Sequence, residues 1–471
     1  MTVINPIRMG GMDILPLVEG GKGVSASNGI SAGHWALAGG VGTFSAVNAD
    51  SFDEQGRVIP QIYKGRTRRD RHEELIQFAI EGGVEQAKRA WEISGGKGRI
   101  HANILWEMGG AERVINGILE RTKGIVSGIT CGAGMPYRLS DIAAKFNVHY
   151  YPIVSSGRAF AALWKRAYSK AADLLGGVVY EDPWLAGGHN GLSNSEDPEK
   201  PESPYPRLVA LRKVMREFGL HETPIIMAGG VWALDEWKDY INNPEIGPIA
   251  FQFGTRPLLT KESPIPQSWK ERLFKLKPGD VFLNRFSPTG FYSSAVNNDF
   301  MRELRARSDR QVAYSPEAVG EHLVEYGVGA RKRPVYLTAP DYARAKAWED
   351  EGFTEALRTP DSTLIFVAPE KAAEIHEDQV ACMGCLSQCR FSNWSQHEPT
   401  FDNGKKADPR SFCIQKTLQN IAHAADGDEA AMDNNLMFAG HNAHRFGSDP
   451  FYSNGFIPSV KQLVERLLTG K

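Results

Sequence analysis

The feature that most constrains this chain is a repeating alternation. Eight short runs rich in β-branched and aromatic residues are each separated by a stretch long enough to form a helix. The runs are PIRMGGM (6–12), VGTFSAV (41–47), IHANILW (100–106), IVSGITC (125–131), VHYYPIV (148–154), GGVVYED (176–182), PIIMAGG (224–230) and IAFQFGT (249–255). Several are almost continuously apolar, as strands become when both faces of a sheet are covered. Between them, PRLVALRKVMREFG (206–219) places Leu208, Leu211, Met215 and Phe218 on one helical face, and HEELIQFAIEGGVEQAKRAWEI (72–93) is long with a charged outer side. Strand–helix repetition of this kind builds a parallel sheet. Eight units in about 250 residues suit a closed (β/α)8 barrel better than an open doubly wound sheet, which is the alternative.

The remainder divides by pattern. Residues 1–300 are expected to form the α/β barrel, 301–375 a small α/β segment, and 376–471 a C-terminal segment carrying most of the cysteines. Hydrophobic residues make up 42% of the 471, charged residues 23%, and the net charge is -2. That balance gives no electrostatic reason to expect nucleic acid or an anionic membrane as partner. No apolar run approaches the roughly 20 residues needed to cross a bilayer, and the N-terminus lacks a signal-peptide pattern. The expectation is a cytoplasmic enzyme acting on a small molecule, with oligomeric state left open.

In a (β/α)8 barrel the chemistry sits on loops after the strands. Here those loops are glycine-rich: GGM (10–12), GAG (132–134), AGGHNG (186–191), AGG (228–230) and GT (254–255). Gly229–Gly230 and Gly254–Thr255 end the last two strands, where barrels commonly seat a phosphate on backbone N–H groups. Glycine removes the side chain that would shield those donors. One Gly-Gly pair is explained equally well by a tight turn. Two such pairs at consecutive late strands favour a phosphate cradle. The polar stretch LSNSEDPEKPESPYP (192–206) reads as a mobile lid or a solvated loop. The basic runs KGRTRRDRHEE (64–74) and ARKR (330–333) read as solvated faces before they read as grips for a phosphate or an acidic carrier.

The motifs PIIMAGGV, IAFQFGTRPLLTKES, LAGGHNG and GGVGTFSAV, in that spatial logic, resemble the nitronate monooxygenase (2-nitropropane dioxygenase) family, over roughly residues 5–300. The resemblance implies an FMN-binding barrel and a flavin-dependent oxidation of a small carbon acid or nitronate. It implies FMN phosphate on Gly229, Gly230, Gly254 and Thr255, with the ring near Gly10, Gly11, Met12, Asn103, Gly187 and Gly188. A branch that reduces enoyl thioesters shares these motifs, so an NAD(P)H-dependent reductase of an activated double bond is the second expectation. The first loop is longer than the family pattern, through GGKGVSASNGISAG (20–33), which brings Lys22 and Ser25 within consideration. His189, unshielded among small residues, is the expected catalytic side chain: an imidazole takes a proton from carbon or donates to a developing oxyanion.

Three cysteines fall in CMGCLSQC, and with Cys413 they give Cys382, Cys385, Cys389 and Cys413 the spacing C-x2-C-x3-C-x23-C. Four thiolates suit an iron–sulfur cluster or tetrahedral zinc. Zinc sites usually use two separated pairs, whereas one compact loop supplying three ligands favours a [4Fe–4S] cluster. CMGCLSQC resembles the cluster loop of flavoenzymes related to dienoyl-CoA reductase. A cluster beside the flavin would relay single electrons to an electron-transfer partner. A zinc-stapled binding protein without turnover is the third expectation. Cys131, alone at the end of a strand, is expected to pack rather than react.

Overall fold

The computed structural model describes residues 4–132, 134–397 and 399–470. Ala133, the middle of the GAG loop, lies outside the described residues. Eight parallel strands close into a barrel: β1 (Leu17–Glu19), β2 (Val41–Ser45), β3 (Arg99–Leu105), β4 (Gly128–Gly132), β5 (His149–Val154), β6 (Val178–Glu181), β7 (Ile225–Ala228) and β8 (Ile249–Phe253). β8 pairs with β1, through Phe251 opposite Leu17, and this contact closes the cylinder.

Helices cover the outside: α1 (Gly29–Leu37), α2 (Arg68–Ile93), α3 (Ala111–Arg121), α4 (Leu139–Phe146), α5 (Gly157–Arg166) and α6 (Pro204–Glu217) follow the first six strands. Local chemistry starts them. Thr67 and Asp70 form a reciprocal capping box at α2, and Ser156 caps α5. Ser203 followed by Pro204 opens α6. The outer faces of the strands and the inner faces of the helices share one apolar core, with Trp35, Phe44, Ile104, Leu211 and Phe251 fully buried.

One strand assignment needs correction. PIRMGGM is not a barrel stave. It forms a hairpin, Ile7–Met9 against Met12–Ile14, and the first stave is Leu17–Glu19. A Cβ on Gly10 would strike Arg99, and one on Gly11 would reach His149. Both residues begin their strands, so the hairpin plugs the N-terminal end of the barrel. Met9 and Ile14 pack there with Val18, Tyr151, Val179 and Ile226.

Beyond β8 come α7 (Gln267–Lys275) and an antiparallel pair, β9 (Val281–Asn284) and β10 (Ser293–Val296). Residues 311–367 hold a three-stranded antiparallel sheet and a separate hairpin around their own apolar cluster, including Tyr326, Leu337 and Phe366. The chain then returns across the barrel mouth. Its last helix, Val460–Thr469, packs its apolar face (Val460, Leu463, Val464, Leu467) into the barrel's core beside α1. No helix among the described residues is long and apolar enough to cross a membrane.

Candidate active site

At the C-terminal end of the barrel lies a chamber of about 780 Å³, within the size range of small-ligand and cofactor sites. Asn103, Gly187, Gly188, His189, Gly229, Gly230, Gly254 and Thr255 all line it. Gly10, Gly11 and Met12 do not. They sit in the hairpin at the opposite end, which removes them from any role at the chamber. The place expected of them is taken by the long first loop: Gly20, Gly21, Lys22, Gly23 and Val24 line the chamber instead. Gly21 lies so close over Asn103 that a Cβ would come within 2.2 Å of its side chain.

The late-strand cradle is open to a phosphate. Gly229 and Gly230 adopt φ of +86° and +77°, a conformation that glycine adopts without strain. A Cβ on Gly254 would meet no protein atom within 4 Å and would project into free space. The N–H groups of Gly229, Gly230, Gly254 and Thr255 donate to no protein acceptor among the described residues. Main-chain donors enclosed in this way take a ligand or water. Asn442 Nδ2 donates to Gly230 O at 2.7 Å, and Gly440 N donates to Thr255 Oγ1 at 3.2 Å, so the C-terminal segment braces the cradle. The site's residues fit a mononucleotide phosphate.

His189 sits on a two-residue strand paired with β10, and the Phe438 ring meets it edge-on at 5.5 Å. Its Nε2 lies 2.6 Å from Ser287 Oγ, which lies 2.8 Å from Thr289 Oγ1. Burial pushes the imidazole down to about 4, so it is neutral at physiological pH. Nothing in the sequence around Ser287 pointed to this contact, because the two residues are 98 positions apart.

Two charged groups also border the chamber, Lys22 from the long first loop and Glu181, which the sequence did not single out. Glu181, at the end of β6, lines the chamber. Burial, with the neighbouring Asp182 adding to it, pushes its carboxyl up to about 8. Lys22 points its ammonium at Glu19 (3.4 Å) and at Gly20 O (2.7 Å). Burial lowers Lys22 and raises Glu19, and their mutual attraction opposes both shifts. The stretch expected to be a lid is tied down. Trp184 Nε1 donates to Asp197 O, and Arg207 pairs with Glu196 at 2.7 Å and Glu202 at 2.9 Å.

The C-terminal segment roofs the chamber. Phe438, Ala439, Gly440 and Asn442 lie on one side, and Cys385, Leu386, Ile414, Gln415 and Leu418 on another. The cysteine loop is stitched to the loop after β3. Leu386 bridges Met108, Gly109 N donates to Cys385 O at 2.9 Å, and Ser387 N donates to Glu107 O at 2.7 Å. Cys382, Cys385 and Cys389 are buried, and all five cysteines, including Cys131 in β4, are free of disulfides. No group of three or more His, Cys, Asp or Glu side chains that could hold a metal ion is found among the described residues.

A closed parallel barrel whose mouth carries unpaired late-strand amides and a half-buried histidine is the architecture expected of a flavin-dependent barrel oxidoreductase. The family model "Nitronate monooxygenase" matches residues 148–470. The chain belongs to the nitronate monooxygenase family and is a flavin-dependent oxidoreductase. No curated protein matches its sequence. Among solved structures, the enoyl reductase domain of MlnA from the macrolactin biosynthesis cluster of Bacillus amyloliquefaciens is 13% identical, with a TM-score of 0.52, covering 96% of this chain and 93% of that one. Nitroalkane oxidase from Streptomyces ansochromogenes is 18% identical (TM-score 0.44, covering 61% and 78%). FabK from Thermotoga maritima is 17% identical (TM-score 0.41, covering 62% and 74%). At these identities the likeness is one of fold.

Proposed function

We propose that this enzyme oxidises a small carbon acid of the nitronate class, with FMN seated at the barrel mouth and His189 beside the substrate. The observation that carries this reading is one chamber holding both the orphaned late-strand amides and a neutral, hydrogen-bonded His189. The amides of Gly229, Gly230, Gly254 and Thr255 would hold the cofactor's phosphate, while Asn103, Gly187 and Gly188 would stand near its ring. FMN, when bound, supplies the acceptor for the substrate's electron pair.

His189 serves this chemistry as an orienting group. An imidazole held near pKa 4 is a poor base toward a carbon acid at neutral pH. A nitronate, however, arrives already deprotonated. Its negative charge favours the protonated imidazole, so His189 can share a proton with the nitronate oxygens. Ser287 fixes the ring for that contact. Lys22 lines the same wall, with its ammonium held by Glu19 and Gly20 O. The same reading takes the four C-terminal cysteines as ligands of a [4Fe–4S] centre serving the flavin.

The test is anaerobic. Propane-2-nitronate should bleach the bound flavin and NADPH should not. Bleaching by NADPH alone would favour the enoyl-thioester reductase reading. Bleaching by neither would leave a ligand-binding protein without turnover.

A further inference from the structure

The alternation of side chains along the staves decides which of them face the chamber, because successive residues of a strand point to opposite sides. In β6, Val178 and Tyr180 belong to the core beneath the outer helices, while Val179 packs inside the barrel with Val18, Ile226, Ala228 and Ala250. Glu181 follows Val179 by two positions. It shares the inward face and stands one layer higher, where the chamber begins. Its partner across the sheet is Ala228, the residue before Gly229 and Gly230. A carboxyl thus rises from the barrel interior into the chamber, one stave from the late-strand cradle.

This acid differs from its neighbours in what holds it. Glu19 accepts from Ser31 Oγ and Thr43 N, and Asp50 is met by Ser25 Oγ and His423 Nε2. Asp182 accepts from the Trp184 and Leu185 N–H groups at 2.9 Å. Glu107, also on the chamber wall, accepts from Ser387 Oγ at 2.7 Å. The Glu181 side chain receives no hydrogen bond and no ion pair among the described residues. A carboxylate without donors keeps its full basicity, and burial beside Asp182 holds this one up to about 8.

The other titratable groups near Glu181 are already engaged or turned away. β7 carries none. On β5, His149 starts the stave beside Arg99 at the far end of the barrel, Tyr150 faces the outer core and Tyr151 lies in the layers below. Arg207 of α6 pairs with Glu196 and Glu202. Within the chamber, Lys22 is held by Glu19 and His189 by Ser287. His189, kept neutral by its burial, is a poor base, so a carbon acid that enters with its proton needs another group to remove it.

We infer that Glu181 is a catalytic base that takes the proton from the carbon beside the nitro group of a neutral nitroalkane, so that the chamber makes its own nitronate. In this step the C–H bond breaks, its electron pair moves into the nitro group, and the proton ends on a Glu181 oxygen. No oxidant is consumed, and the proton later returns to solvent through the chamber mouth. His189 and Ser287 then orient the nitronate as described above, a role for Glu181 that rests on the nitronate reading for the oxidation that follows.

The experiment uses the flavin-loaded full chain under anaerobic conditions, mixed with 2-nitropropane from an acidic stock or, in parallel, with propane-2-nitronate. Both should bleach the flavin. The rate with 2-nitropropane should rise with pH to a plateau above about 8, a limb that the nitronate lacks. Deuterium at C2 of 2-nitropropane should slow its reaction severalfold. Glu181→Gln should lower the ratio of the 2-nitropropane rate to the nitronate rate by roughly 10²- to 10⁴-fold. An unchanged ratio would overturn the inference. So would a wild-type rate with 2-nitropropane that shows neither the limb nor the isotope effect, an outcome that needs no variant to fold. Bleaching by the nitronate alone would overturn the base and spare the nitronate reading, whereas bleaching by neither would overturn both.

Discussion

Gly254→Val isolates the phosphate cradle from the fold. The backbone at Gly254 lies outside the left-handed region, and an added Cβ meets no protein atom within 4 Å. The unfolded chain loses freedom through the same substitution, which favours the folded state slightly. The apo-protein should therefore keep its Tm to within a few degrees. A branched side chain would, however, stand where the cofactor's phosphate is proposed to lie. Hydrogen bonds to a charged group contribute roughly 1.5–3 kcal/mol each. Displacing two of them costs about 3–6 kcal/mol, a rise in FMN Kd of roughly 10²- to 10⁴-fold. Fluorescence titration of apo-protein with FMN reads this directly, with circular dichroism as the folding control. Gly42→Ala is the contrasting variant: its Cβ would lie 1.7 Å from Ala32 O, so folding itself should fail. A folded Gly254→Val protein that binds FMN as tightly as wild type would refute the assignment.

His189→Ala should lower kcat by roughly 10- to 10²-fold, the loss of one hydrogen bond to a charged group, while leaving FMN bound, and wild-type kcat/KM should show no limb near pH 6.5, because burial holds the free imidazole down to about 4. Unchanged turnover would remove His189 from the reaction. Ser287→Ala should reduce kcat by about tenfold with little change in KM, since its contact orients the ring. Glu181 predicts a stability signature. Its folded-state carboxyl titrates at about 8 against an ordinary 4.5, so the folded state holds a proton that the unfolded chain has released. Its contribution is full below about pH 4.5 and declines as pH rises toward 8. The Tm advantage of Glu181→Gln over wild type should thus grow across that window, and a pH-independent difference would contradict it. Cys131, buried in the barrel and raised by that burial, should stay unreactive toward thiol reagents until the protein unfolds.

Much of the barrel was legible because its staves carry local signals. Runs such as PIIMAG and IAFQF are apolar on both faces, and the glycines that end them mark the loops. The first stave was missed for a physical reason. Leu17–Glu19 is three residues long and ends in a carboxylate, which reads as a loop. Glu19 is buried only because Lys22, Ser31 and Thr43 satisfy it from elsewhere. PIRMGGM read as the first stave, but only Ile7–Met9 of it is a single strand, and the Gly10–Gly11 turn folds the run back as a plug. The late-strand glycines, Asn103 and His189 converge on the chamber as expected from their strand ends. Ser287, Phe438 and Asn442 were invisible, since Phe438 and Asn442 reach the chamber from the distant C-terminal segment and Ser287 meets it only through His189. Glu181 carries no local sign of enclosure, and only the closed barrel with its C-terminal roof makes it a chamber acid.

The claim beneath all of this is that main-chain amides after β7 and β8 hold a flavin by its phosphate. Comparing FMN with riboflavin on the same apo-protein tests it most directly, because the two differ only in that group. The account predicts FMN bound at least about a hundredfold more tightly, consistent with two charge-assisted hydrogen bonds. Equal affinities, or no binding of either, would contradict it.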